Sequence, residues 1–193
     1  YFFVLGNSVV LAQNETLLDK LDYNLIELKS VEHFDKIGNK EKAMSAFLDW
    51  YRKKEKLYLK VSDQDIKYFK SNYPNEVANT LKNANDVLNK KFLFREDWDM
   101  EKTNIPYTFK KDIDWKAMPN GDEEWCFMLN RHKYWIDLGR AYYLTGNEKY
   151  AKGFIAQVNH WINNNPFDNS LKKYSWRRIE AGIRCENWIK SFE

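Results

Sequence analysis

Along most of the chain apolar residues recur every three or four positions, the spacing of helices that bury one face. Over 16–37 the repeat is Leu17, Leu18, Leu21, Leu25, Leu28 and Val31, which predicts one helix stopped by Gly38-Asn39. A second helix over 40–54 continues the period with Ala43, Phe47, Leu48 and Tyr51. A short helix at 63–70 ends at the Asn72-Tyr73-Pro74 break, and 75–90 repeats Val77, Leu81, Ala84 and Leu88. Three more helices are expected at 123–145, 148–164 and 175–192, separated by Gly146-Asn147 and Asn165-Pro166. Between them, 92–121 loses the period and carries Pro106 and Pro119. It reads as an ordered irregular segment with two short strands near 92–94 and 107–110. The pattern is that of an all-α protein.

The segment 123–145 is apolar on two sides. At 100° per residue, Trp125, Met128, Leu129, His132, Trp135, Ile136, Gly139 and Tyr143 share one face; Phe127, Tyr134, Leu138, Ala141 and Tyr142 share the other. A helix apolar on both faces is buried on both, which suits the inner layer of a double-layered helical barrel. Two turns look alike, GNKEKA at Gly38 and GNEKYA at Gly146, without copies between them. This is no short-period solenoid; it is what stacked helical hairpins produce.

Composition changes the picture in one respect. Phe, Trp and Tyr make up 17% of the 193 residues, with eight Trp and twelve Tyr. Aromatic planes fill cores, and they also stack on the C–H faces of sugar rings. Charge adds little: 31 basic residues against 28 acidic ones leave +3, interspersed along the chain. No basic block marks a nucleic-acid binder. Cys126 and Cys185 have no metal-ligand spacing and are expected to be two buried free thiols.

The termini suggest processing and continuation. Residues 1–12 are apolar, too short to span a bilayer, and end in Val10-Leu11-Ala12 before Gln13. They read as the remnant of a secretory signal peptide, with 13–193 as the mature helical part. No other membrane segment is expected. The last helix runs to Glu193 without a cap or stop, so the sequence reads as cut at both ends.

Candidate chemistry concentrates in two helices. In SWRRIEAGIRCENWIK, residues Trp176, Glu180, Arg184 and Asn187 form one stripe, with Glu180 and Arg184 as an i,i+4 pair. Ala181, Cys185, Trp188, Ile189 and Phe192 form the opposite, packing side. Trp, carboxylate, guanidinium and amide together can hold a sugar; a surface salt bridge beside an exposed Trp has the same spacing. In WCFMLNRHKYW, Asn130, Arg131 and His132 are adjacent but point in different directions, and His132 lies on an apolar face. His33 and His160 carry no stronger signal. The sequence holds no Ser-His-Asp order, CxxC, HExxH, phosphate loop or glycosidase carboxylate pair, so no metal or cofactor is expected.

The runs EEWCFMLNRHKYWIDLGRAYYLTGNEKYAKGFIAQVNHWINNNP and SWRRIEAGIRCENW, with DIDW at Asp112–Trp115 upstream, resemble the N-terminal domain of the heparinase II/III family of polysaccharide lyases. The resemblance covers roughly 112–188. It implies the N-terminal portion of an incomplete α/α toroid built from helical hairpins, followed in the family by a β-sandwich region. It also implies an exported bacterial enzyme, periplasmic or extracellular, acting on an acidic polysaccharide by β-elimination. Heparan-type, alginate-like and exopolysaccharide glycans are the candidates. The family's neutralising Asn and its proton-exchanging Tyr and His are expected beyond Glu193, so the chain alone should be inactive. What the resemblance carries over is the cleft wall: Asn130, Arg131, His132, Trp176, Glu180, Arg184 and Asn187 as substrate-binding candidates. Two rivals stand beside this reading: a non-catalytic helical-hairpin module that binds glycans or proteins, and an α/α-toroid glycoside hydrolase.

Overall fold

The computed structural model describes residues 17–53, 61–94, 105–168 and 173–192. The candidate signal remnant at 1–12 lies outside them. The chain divides into two compact units, Tyr1–Lys60 and Val61–Glu193.

In the first unit, short 3₁₀ turns at Leu17–Lys20 and Ile26–Leu28 precede helix α1 (Lys29–Lys36) and helix α2 (Lys40–Lys53). The single helix expected over 16–37 is therefore broken. The Asp22 carboxylate accepts the Asn24 backbone N–H at 3.0 Å, and such a local turn competes with helical hydrogen bonding. Leu25 and Ile26 consequently face solvent, while Leu18, Leu28, Val31 and Ala43 form a small core with Phe34, Phe47 and Trp50 against it. Gly38 turns the chain between α1 and α2 at φ 76°, a conformation that favours glycine. Asn39 then accepts the Lys42 N–H at 3.1 Å and starts α2.

The second unit holds the rest. Helix α3 (Asp63–Asn72) opens on a Ser62–Asp65 capping box, and helix α4 (Pro74–Leu88) has Pro74 in its first turn. Two-residue strands β1 (Lys91–Phe92) and β2 (Tyr107–Thr108) pair antiparallel, Lys91 with Thr108 and Phe92 with Tyr107, near the places expected. A 3₁₀ turn at Pro119–Gly121 leads into helix α5 (Glu123–Arg131), which the Asp122 side chain caps. Helix α6 (Trp135–Thr145), helix α7 (Glu148–Asn164) and helix α8 (Arg178–Phe192) complete it. The α6–α7 turn repeats the Gly38 device: Gly146 at φ 65°, then Asn147 capping at the Lys149 N–H.

Helix α6 is central and packs against α4, α7 and α8, while α5 packs on α8. The core gathers Val87, Phe92, Phe94, Trp115, Trp125, Leu129, Trp135, Leu138, Phe154 and Trp161. Gly139 lets α6 approach α8 closely, since a Cβ there would stand 2.6 Å from the Ser191 carbonyl oxygen.

The single helix expected over 123–145 does not form. The segment 123–145 is two helices, broken where His132 adopts a left-handed conformation (φ 59°, ψ 23°). A non-glycine residue in that region costs about 1 kcal/mol and persists only when its surroundings over-determine it. The break separates two burial patterns that a single helical wheel merged. Every residue from Trp125 to His132 is buried, whereas α6 buries Trp135, Leu138, Ala141 and Leu144 and leaves Arg140 and Tyr143 exposed.

Candidate functional site

The break at His132 creates the problem that the rest of the polar cluster solves. Ending α5 leaves its last carbonyls without intrahelical donors, inside a core that excludes water. Donors come from elsewhere. The Tyr134 hydroxyl donates to the Leu129 carbonyl at 2.9 Å, the Arg184 guanidinium to the Asn130 carbonyl at 2.9 Å, and the Asn187 amide to the Arg131 carbonyl at 2.8 Å. Two residues of the α8 stripe therefore cap the C-terminus of α5. Arg184 also brings positive charge to the negative end of the helix dipole.

The three adjacent polar residues of α5 leave the helix in different directions, and each meets a different neighbour. Asn130 donates to the carbonyls of Trp115 (2.8 Å) and Cys126 (2.9 Å) and accepts from the Trp161 indole at 2.9 Å. Arg131 forks onto Glu180, with Nε at 2.6 Å and Nη2 at 3.3 Å, and its Nη1 lies 3.0 Å from Glu124. Arg177 donates to the same Glu180 carboxylate, Nε at 2.9 Å. Glu180 is fully buried between these two guanidinium groups. Burial pulls the Arg131 guanidinium down, but its bonds to Glu180 and Glu124 outweigh that and raise it overall.

His132 is stacked on Trp135, ring centroids 3.8 Å apart and planes 24° off parallel. Its Nδ1 accepts the Trp188 indole N–H at 2.8 Å, so the proton of the neutral ring is on Nε2. Nε2 meets no acceptor among the described residues, and the rings of Trp115 and Trp161 stand edge-on at 5.4 and 5.3 Å. Burial, with Arg184 adding to it, holds this imidazole well below the ordinary histidine range. Arg184 itself lies over the Trp161 ring at 4.3 Å and the Trp176 ring at 5.2 Å. Burial pushes its guanidinium down to about 10.

The structure thus brings all seven candidate residues into one connected cluster at the α5–α8 seam. Asn130, Arg131, His132, Glu180, Arg184 and Asn187 are buried, and Trp176 is half-buried. Their hydrogen bonds hold elements of the protein to one another. The expected Glu180–Arg184 pair is replaced by Glu180 with Arg131 and Arg177, because Arg184 is drawn to the α5 carbonyl. The face of α8 read as packing needs correction too: Cys185 and Ile189 are exposed, and only Trp188 of the three reaches the core cluster. Cys126 is buried and free as expected; burial, with Asp114 adding to it, pushes its thiol up to about 11.

Sequence reasoning missed several members. Trp115 donates to His160 Nδ1 at 2.9 Å, and Gln157 links the Trp135 indole (2.8 Å) to the Val87 carbonyl (2.9 Å). The available signal was a Trp on each of α5, α6, α7 and α8 and another at Trp115: each buried indole N–H needs an acceptor. Among the described residues no group of three or more His, Cys, Asp or Glu could hold a metal ion, and no helix is long and apolar enough to cross a membrane.

The family model of the heparinase II/III N-terminus matches residues 17–193. This chain belongs to that family. A heparin-sulfate lyase of Pedobacter heparinus is 26% identical over 194 residues, covering 97% of this chain and 28% of the relative. One of Bacteroides stercoris is 28% identical over 191 residues, covering 90% and 27%. Among solved structures, a heparinase III with methylated lysines superposes with a TM-score of 0.68 at 24% identity, over 88% of this chain and 27% of that one. The heparan sulfate lyase of Pedobacter heparinus gives 0.65 at 23%, over 87% and 26%. The fold is thus the N-terminal portion of an α/α toroid. The chain spans just over a quarter of the length of these two curated relatives.

Proposed function

We propose that this chain is the N-terminal helical domain of an exported bacterial polysaccharide lyase that cleaves uronic-acid-containing glycans by β-elimination. The observation that carries the reading is the family match over 17–193, together with heparin-sulfate lyases as relatives covering 90% or more of the chain. Those relatives favour a heparan-type glycan over the alginate-like and exopolysaccharide alternatives.

Elimination requires the uronate carboxylate to be neutralised, a base to remove the C5 proton and an acid to protonate the leaving oxygen. Nothing in the α5–α8 cluster is placed for proton exchange with a substrate: His132 is buried and Glu180 is held between two arginines. The role that suits the cluster is to hold the hairpins rigidly, so that groups supplied from elsewhere meet the glycan in fixed geometry. A rigid frame supports such a site better than a loop does.

The test is to incubate the full-length protein with heparan sulfate, alginate and a uronate-containing exopolysaccharide and follow the ultraviolet absorbance of the new C4–C5 double bond. Unsaturated uronate from heparan sulfate is the expected product. Saturated reducing ends without that absorbance would indicate hydrolysis and overturn the lyase reading. The 193-residue chain by itself is expected to release neither.

A further inference from the structure

A groove of about 1080 Å³ runs between α3 and α4 on one side and α6 and α8 on the other. This volume is at the upper end for small-molecule sites and suits an oligomer better than a single sugar. Exposed aromatic side chains line it: Tyr68 (62% exposed), Tyr73 (45%) and Tyr143 (42%). Asn79 and Asn83 of α4 add amide donors and acceptors for hydroxyl groups. Exposed rings beside amides, open to solvent, are what a carbohydrate surface needs: an apolar plane for the sugar face and hydrogen bonds at its rim.

The basic residues that line the groove all stand on one wall, with Asp137 among them. Lys133, Arg140 and Lys190 stand on the α6–α8 wall. Lys133 stands in the turn that leads into α6, and Arg140 lies on α6 itself. On that wall Asp137 approaches Arg140 only to 4.0 Å, and Lys190 pairs with Glu186 on the surface. Exposed pairs of this kind yield readily to a competing anion. On the opposite wall stand the carboxylates of Asp65, whose Oδ2 accepts the backbone N–H and hydroxyl of Ser62, and of Glu76.

We propose that this groove binds an anionic oligosaccharide, its rings packed on Tyr68, Tyr73 and Tyr143 and its carboxylate or sulfate groups set against Lys133, Arg140 and Lys190. The proposal rests on the acidic-glycan reading above and adds to it a place and a polarity. The anionic edge of the sugar faces α6 and α8, and Glu76 opposes the reverse orientation.

The test is calorimetric titration of the 193-residue chain with a heparin-derived octasaccharide and with a neutral chito-oligosaccharide of equal length. The octasaccharide is expected to bind, more weakly as salt is raised, and the neutral oligomer much less. The R140A/K190A double variant should weaken binding about tenfold, and Y143A by a similar factor. E76Q should tighten it about twofold, the opposite sign. Equal thermal unfolding of the variants confirms that these exposed changes leave the fold intact. Unchanged affinity in R140A/K190A and Y143A, weaker binding by E76Q, equal binding of the neutral oligomer, or no binding at all would each overturn the proposal. Its failure is distinct from failure of the lyase reading. Full-length protein that still makes unsaturated uronate, with KM unmoved by R140A/K190A, removes the groove alone; full-length protein that makes none removes the parent reading.

Discussion

Replacing Glu180 by Ala should be among the most damaging single changes in this chain. The carboxylate is fully buried and takes a two-pronged contact from Arg131 and a further one from Arg177, tying α5 to the start of α8. Removing one member of a buried ion pair typically costs ~3–5 kcal/mol, because the remaining charge is stranded. Two features place this site at the lower end. Arg131 keeps Glu124 at 3.0 Å, and the Arg177 side chain is 38% exposed and can turn to water. The expected loss is therefore about 3 kcal/mol, equivalent to a drop in Tm on the order of 10 °C for a unit of this size. Trp fluorescence during urea unfolding is the direct assay, because Trp115, Trp125, Trp135, Trp161, Trp176 and Trp188 all belong to the 61–193 unit. A double-mutant cycle with Arg131→Met isolates the pair, with an expected coupling of about 2 kcal/mol. A loss below about 1 kcal/mol, or simple additivity in the cycle, would refute the claim that this bridge holds the seam.

Further changes probe the same packing. His132 is buried neutral and holds its proton less tightly than in the unfolded chain, so the unfolded state binds more protons at mildly acid pH. Stability should be fully present above about pH 6.5 and fall as pH drops below it, approaching a slope of ~1.4 kcal/mol per pH unit; His132→Gln should flatten that slope in urea titrations between pH 7 and 5. Asn187→Ala strands the Arg131 carbonyl and should cost about 1–2 kcal/mol, measured in the same way. Two glycines should respond with opposite signs in calorimetry. Gly139→Ala drives a Cβ into the Ser191 carbonyl and should cost about 1–3 kcal/mol. Gly182→Ala meets nothing within 4 Å and should stabilise α8 by roughly 0.5–1 kcal/mol.

Local signals were sufficient for much of the fold. The three-to-four spacing of apolar residues placed α2, α3, α4, α7 and α8 within a few residues, because amphipathic periodicity is written in neighbouring positions. Gly38-Asn39 and Gly146-Asn147 marked their turns by the same logic, with a left-handed glycine followed by an asparagine cap. The run of aromatic and polar residues around Asn130-Arg131-His132, with the Trp-Glu-Arg-Asn stripe of α8, was enough to single out the cluster and its family.

What the local pattern could not decide was how those residues are used. The break at His132 depends on Trp135 and Trp188 enclosing its ring, and on Arg184 and Asn187 receiving the carbonyls that the break exposes. Those donors lie more than fifty residues away in sequence, and no propensity or spacing reports them. Glu180 follows the same rule: its i,i+4 neighbour Arg184 is nearer along the helix, yet the unsatisfied end of α5 draws Arg184 away and Arg131 takes its place. The residue types and helical periods were thus set by the sequence alone. Which polar group meets which was settled only when packing removed water and left every buried donor and acceptor to find a partner within the protein.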